Sequence, residues 1–309
     1  KVVEAEFPRM TINSTIPTGI SLAVVFDHYR IRRGWKSQNR KPVNLFFMSG
    51  TGMTKAIWQY HIKRLFQYSE EHEDLPWQLN NVIAVDLVNH GESAVENTGR
   101  LGFVVDWREG AHDLIQVAKS LRLQGTNVVV GHSMGGFQAL HASTLAPLMF
   151  QHAVVIEPVI YGDPESSARL DRMIPSLNKV IKSRFKNEQE FDHFFKNQSI
   201  FKNFNSEILD DFIESEKLVH RDGTVSAKTS KEQQLICYMN ASSAVRLWRE
   251  ILSNVTIPVI HVIGSAATWN PPQSVKEVRQ LLKHVKGVDI EGGLHLVNCE
   301  KPDTIVDIL

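Results

Sequence analysis

Only two cysteines, Cys237 and Cys299, occur in the 309 residues. That excludes a disulfide framework and a thiolate metal site, and it suits a reducing compartment with both thiols packed and reduced. An excess of charge of either sign is also missing: Lys+Arg 34 balance Asp+Glu 34, so no long-range field favours nucleic acid or an anionic membrane. No stretch approaches the roughly 18 apolar residues of a membrane helix. Among 13 histidines no His-Glu-x-x-His or similar ligand spacing occurs, so neither a metal nor another cofactor is expected. There is no repeat and no low-complexity tract. Lys1 stands where a Met would start a chain, and the last residues read as helix, so both termini are expected to be trimmed.

Apolar runs of strand type recur with helical patterns between them. The clearest are Val43–Met48, Val82–Val85, Val128–Val130, Ala153–Ile156 and Val259–Ile263. Near-continuous hydrophobicity suits the central strands of a parallel sheet covered on both faces. Leu22–Phe26 reads as part of an antiparallel edge hairpin, and Val288–Ile290 as the last strand. The expected fold class is α/β, with a mostly parallel sheet flanked by helices.

The alternation stops after Pro158. Residues 161–255 are polar and helical, and they hold Phe185, Phe191, Phe194, Phe195, Phe201, Phe204 and Phe212. Residues 1–160 and 256–309 are therefore expected to form the sheet domain, with 161–255 inserted as a helical cap. Most of the phenylalanines should fuse cap helices to each other and to the core. Some could line a substrate site, since such sites are mostly apolar and aromatic.

Chemistry enters at Gly131-His132-Ser133-Met134-Gly135, directly after Val128–Val130. G-x-S-x-G alone is weak, arising by chance roughly one time in ten at this length. Placed between a buried strand and a helix start, it reads as a turn that exposes a serine hydroxyl above a helix amino terminus. Serine is inert at neutral pH without an imidazole to take its proton. His295 is the expected base, on a glycine-bearing loop after the last strand. His132 more simply buttresses the turn, and His90 is a loop residue. The acid should follow Val259–Ile263, but Gly264–Pro272 contains no carboxylate. Glu157, at the end of the preceding strand run, is the best substitute. Asp163 and the uncharged Asn270 are the alternatives. Oxyanion donors are expected from the backbone N–H groups of Met134 and Thr51, the latter within Ser49-Gly50-Thr51-Gly52-Met53. Asp86 is expected to orient its own turn.

Together these residues resemble the α/β-hydrolase superfamily. The blocks Asn89–Val95, Gly99–Gly102, Gly131–Leu140, Ile156–Val159, Cys237–Asn240, Trp269–Pro272 and Gly293–Asn298 are similar to a fungal group of peroxisomal lipases and their toxin-biosynthesis relatives. The resemblance implies a serine hydrolase with a helical cap that acts on acyl esters or lipids, housed in peroxisomes, with the cytoplasm as the alternative. One departure is Ser49-Gly50, where the superfamily usually has His-Gly. The missing acid after Val259–Ile263 looks like a trait of the subgroup, which carries Glu-Pro after the earlier strand. Two other functions fit the same sequence. One is a hydrolase of thioesters or secondary-metabolite intermediates. The other is a non-catalytic binding protein that kept the fold.

Overall fold

The computed structural model describes residues 1–31 and 39–309. The amino-terminal half runs β1 (Val2–Glu4), β2 (Ala23–Arg30), β3 (Lys41–Met48), α1 (Gln59–Glu71), β4 (Trp77–Val85), α2 (Gly91–Glu96), α3 (Trp107–Leu121), β5 (Thr126–His132), α4 (Met134–Leu145) and β6 (His152–Ile156). A second stretch follows, with α5 (Pro164–Val180), β7 (Arg184–Phe185), α6 (Glu188–Asn197), α7 (Ser206–Glu216), β8 (Lys217–Val219), β9 (Val225–Ala227), α8 (Lys231–Ala244) and α9 (Trp248–Asn254). The chain then closes with β10 (Val259–Gly264), α10 (Pro272–Leu281), β11 (Val285–Ile290), α11 (Val297–Glu300) and α12 (Pro302–Ile308).

Eight strands form one sheet in the order β1-β2-β4-β3-β5-β6-β10-β11. β1 and β4 pair antiparallel to β2, and every other neighbour pair is parallel. The run expected as an edge hairpin is thus the second strand, held between the true edge and the parallel part. Side chains alternate across the central strands. Phe46 and Met48 of β3 enter one core with Val129 and Val155. Leu45 and Phe47 enter the other with Val130, Val154 and Ile156. Both faces are covered, which is why these strands read as continuous apolar runs. Helix α4 runs beneath the sheet with nine of its twelve residues buried, Met134 through Leu140 without interruption.

The parallel register sets the site. Met48 lies opposite Gly131, Gly131 opposite Val155, and Ile156 opposite Val262. The carboxyl ends of β3, β5, β6 and β10 therefore finish level, and their loops converge at a crevice outside the sheet.

Between β6 and β10 the chain is mostly helical, as its polarity implied. It also carries a small antiparallel sheet, β7-β9-β8, which strands of two or three residues leave too short to show a period. The seven phenylalanines interlock, with ring centroids from 4.7 Å for Phe191–Phe195 to 6.4 Å for Phe204–Phe212. They join the core on the Phe47 side of the sheet.

Candidate active site

Ser133 caps the amino terminus of α4 with φ 55 and ψ −121. A side chain in that region costs about 1–3 kcal/mol and persists only where the surroundings over-determine it. Here the Ser133 N–H donates to Ile156 O at 3.1 Å, while its carbonyl accepts from the N–H groups of Gly136, Phe137 and Val159. The flanking glycines are steric necessities. A Cβ on Gly131 would stand 2.2 Å from Gly135 O, and one on Gly135 would stand 2.5 Å from Met48 O.

His295 Nε2 lies 3.0 Å from Ser133 Oγ, and His295 Nδ1 lies 3.3 Å from Glu157 Oε2. Because a carboxylate accepts, the network assigns the ring proton to Nδ1 and leaves Nε2 to accept from the hydroxyl. Glu157 is fully buried and carries a second positive φ, 46°. Its carboxylate is saturated with donors. Oε1 accepts from Gly264 N–H at 2.5 Å, and Oε2 accepts from Trp269 Nε1 at 2.7 Å as well as from the imidazole. Trp269 also sets its ring edge-on to His295, centroids 4.9 Å apart. Behind this imidazole, His132 Nε2 donates to the His295 carbonyl at 2.8 Å. Burial and the neighbouring His295 push the His132 imidazole down to about 3, so it stays neutral, as a buttress should.

The alternatives for the acid sit elsewhere. Asp163 caps α5, accepting from the Ser166 N–H at 3.0 Å and the Ser166 hydroxyl at 2.7 Å. Asn270 is buried, and its side-chain nitrogen meets no hydrogen-bond partner among the described residues, His295 included. A helix-capping aspartate is bound to its own backbone, which removes Asp163 from the site.

The loop after β3 folds over the serine. A Cβ on Gly50 would stand 2.8 Å from Ser133 Cβ, so only glycine lets this backbone approach the hydroxyl. Among the described residues the Thr51 N–H meets no acceptor, and the Met134 N–H is the first of α4, without an intrahelical partner. The Thr51 hydroxyl faces Met134 Sδ at 3.7 Å. Ser49, which replaces the usual histidine, shapes the loop from within: Oγ donates to Thr54 O at 3.1 Å and accepts from Trp58 Nε1 at 3.0 Å. Asp86 anchors the same region, accepting from the Lys55 and Glu92 N–H groups at 2.8 and 3.0 Å.

Two residues of this site escaped the sequence reading. Trp269 lies in the block Trp269–Pro272 with no local signal of a role. His90 was a loop residue. Yet the Gly52 N–H donates to His90 Nε2 at 2.8 Å, while His90 Nδ1 donates to Asn89 Oδ1 at 2.8 Å. Burial pushes the His90 ring down to about 3, which keeps Nε2 free to accept. Both cysteines are buried and unpaired, and burial raises the Cys237 thiol to about 12, so it is no nucleophile at neutral pH. Among the described residues no cluster of three or more His, Cys, Asp and Glu side chains could hold a metal ion, and no helix is long and apolar enough to cross a membrane.

The comparisons with known proteins agree with this architecture. The chain is 33% identical over 99% of its length to the peroxisomal membrane protein LPX1 of Saccharomyces cerevisiae, spanning 84% of that protein. The crystal structure of that yeast protein, described as a peroxisomal alpha-beta-hydrolase, superposes with a TM-score of 0.90, covering 100% of this chain and 85% of that one. Human monoglyceride lipase is 24% identical over 97% of the chain and 91% of its own length. An E-2-(acetamidomethylene)succinate hydrolase shares the fold at 17% identity, TM-score 0.69, covering 100% of this chain and 97% of that one. The profile of the alpha/beta hydrolase family matches residues 45–308, and the chain belongs to that family.

Proposed function

We propose that this chain hydrolyses carboxylic esters through an acyl-enzyme on Ser133, with His295 as base, Glu157 as the acid that orients it, and residues 161–255 as the cap over the substrate. The observation that carries the reading is the continuous chain from Ser133 Oγ through His295 to Glu157, with contacts of 3.0 and 3.3 Å. In this reading the serine oxygen attacks the ester carbonyl as its proton passes to His295 Nε2. The developing oxyanion takes hydrogen bonds from the Met134 and Thr51 N–H groups, each worth roughly 2.7–4 kcal/mol in turnover. Glu157 stabilises the imidazolium, which then protonates the departing alcohol. A water repeats the sequence on the acyl-enzyme and releases the acid. No step calls for a metal or cofactor. The lipase and esterase relatives support ester chemistry, and the peroxisomal yeast relative supports the same housing for this chain.

A fluorophosphonate probe and nitrophenyl esters of graded chain length test the proposal. Ser133 is expected to carry the label, and Ser133→Ala is expected to lose both label and turnover. Turnover unchanged in Ser133→Ala would sink the mechanism.

A further inference from the structure

Residues 180–186 read Val180-Ile181-Lys182-Ser183-Arg184-Phe185-Lys186. Ile181, Ser183 and Phe185 are buried, while Lys182, Arg184 and Lys186 are exposed. In extended chain this alternation sets the three cations on one face, at intervals of about 6.6 Å. Pairing of β7 with β9 places Ser226 opposite Arg184. His220 reaches the same place, its Nε2 2.9 Å from Ser226 Oγ. These side chains line an open groove of about 640 Å³.

One carboxylate lines that groove, and it is already engaged. Glu190 Oε1 accepts from Lys182 Nζ at 2.5 Å, and Glu190 Oε2 accepts from the Lys186 backbone N–H at 2.7 Å. Arg184 and Lys186 have no ion-pair partner among the described residues. The whole chain balances its charges, while residues 182–186 alone supply three cations, beside which the fold sets His220 and Ser226. A merely solvated surface would intersperse the two signs. Here the cations are lined up around a concavity, with a hydroxyl and an imidazole between them.

The groove shares one residue with a cavity that reaches the loop after β3. Lys182 lines a second, narrow cavity of about 20 Å³, whose walls include Gly52, Phe195 and Phe201. Gly52 directly follows Thr51 in the loop that covers the serine.

We propose that the groove binds a phosphate-type anion carried by the substrate, clamped between the Arg184 guanidinium and the Lys186 ammonium, with Ser226 and His220 completing its hydrogen bonds. The guanidinium fork matches phosphate oxygens two at a time, and the ammonium adds a point charge. The substrate part of this proposal rests on the serine-hydrolase reading; the anion site does not. It narrows the substrate class to esters or thioesters with a phosphate on one arm.

Inorganic pyrophosphate is the first probe, titrated calorimetrically into the wild-type chain, Ser133→Ala and the double variant Arg184→Ala/Lys186→Ala. Saturable binding is expected in the first two, weaker by at least about tenfold in the double variant, since each lost contact to a charged group is worth that much. Equal binding by the double variant overturns the site. Pelleting with phosphatidylglycerol vesicles in the absence of pyrophosphate binding would assign the face to a membrane, and also overturns it. In a second arm, the ratio of kcat/KM for a phosphate-bearing ester to that for nitrophenyl acetate is expected to fall at least about tenfold in the double variant, through KM. An unchanged ratio, with pyrophosphate binding lost, overturns the substrate role. A wild-type chain that binds pyrophosphate yet cleaves no ester overturns the hydrolase reading and leaves the anion site standing.

Discussion

Glu157→Gln is the sharpest test of the proposed site, because geometry dictates how the amide must fail. The native carboxylate faces donors on both sides, Gly264 N–H on Oε1 and the N–H groups of Trp269 and His295 on Oε2. An amide offers one acceptor oxygen and one donor nitrogen. If its NH₂ turns to Gly264, two donors face each other in a buried place. If it turns to His295, the ring must move its proton to Nε2, and Nε2 can then no longer accept from Ser133. Either orientation also removes the charge that stabilises the imidazolium. In serine proteases the corresponding change lowers turnover about 10⁴-fold through the wrong tautomer. A loss of about 10³–10⁴ in kcat/KM is expected here, equal to roughly 4–5.5 kcal/mol of transition-state stabilisation. The facing donors cost about 1–3 kcal/mol of stability. That lowers Tm by several degrees and leaves the protein folded at assay temperature. Nitrophenyl ester kinetics beside a thermal melt separate the two effects. A variant that is folded and within tenfold of wild-type kcat/KM would refute the role given to Glu157.

Other consequences can be measured in the same assays. Trp269→Phe removes one of the hydrogen bonds on Glu157 Oε2 and keeps a ring against His295; a loss of about 10- to 100-fold in kcat is expected, together with a displaced pH–rate profile, which a purely structural role would not move. His90→Leu leaves the Gly52 N–H buried without an acceptor; it is expected to cost about 1–3 kcal/mol by chemical denaturation and to lower kcat by loosening the loop that carries Thr51. His132, His90 and His261 are pushed down to about 3, and His61 to about 4, by burial. Their folded-state values lie below the unfolded value of about 6.5, so the unfolded chain binds more protons between the two. Stability is therefore expected to fall as pH drops from about 6.5 toward 4, read as a lower denaturation midpoint at pH 5 than at pH 7.5. Glu216 works in the opposite sense: burial raises its carboxyl to about 7, so Glu216→Gln is expected to relieve a destabilisation that grows as pH rises from about 4.5 to 7.

How far the sequence could be read depended on the reach of each interaction. The glycines around Ser133 answer to backbone within a few residues or in the adjacent strand, so the turn was legible from a strand run, a G-x-S-x-G and a helix start. His295 stood out as a candidate because its loop follows the last strand, and the structure sets its ring 3.0 Å from the Ser133 hydroxyl. The acid was not settled by sequence. Glu157, Asp163 and Asn270 all lay near strand ends, and the proposal of Glu157 rests on a contact spanning 138 residues of chain. Trp269 meets Glu157 across 112 residues, and His90 meets Gly52 across 38, so neither partner had a local signal. The small sheet β7-β9-β8 stayed hidden for another reason, since two- and three-residue strands carry no measurable period.

By itself the sequence determined the α/β class, the run of buried strands and the serine turn at the end of β5, though not that Ser133 itself would be buried. Those follow from side-chain periodicity and backbone sterics, which act over a few residues. Tertiary structure decided which groups meet. The register that sets Ile156 beside Val262 places Glu157 against the Gly264 N–H, and the loop beyond β10 folds back to bring in Trp269. A carboxylate is bound to an imidazole by distance in space, and that distance exists only once the parallel sheet has brought its strand ends level.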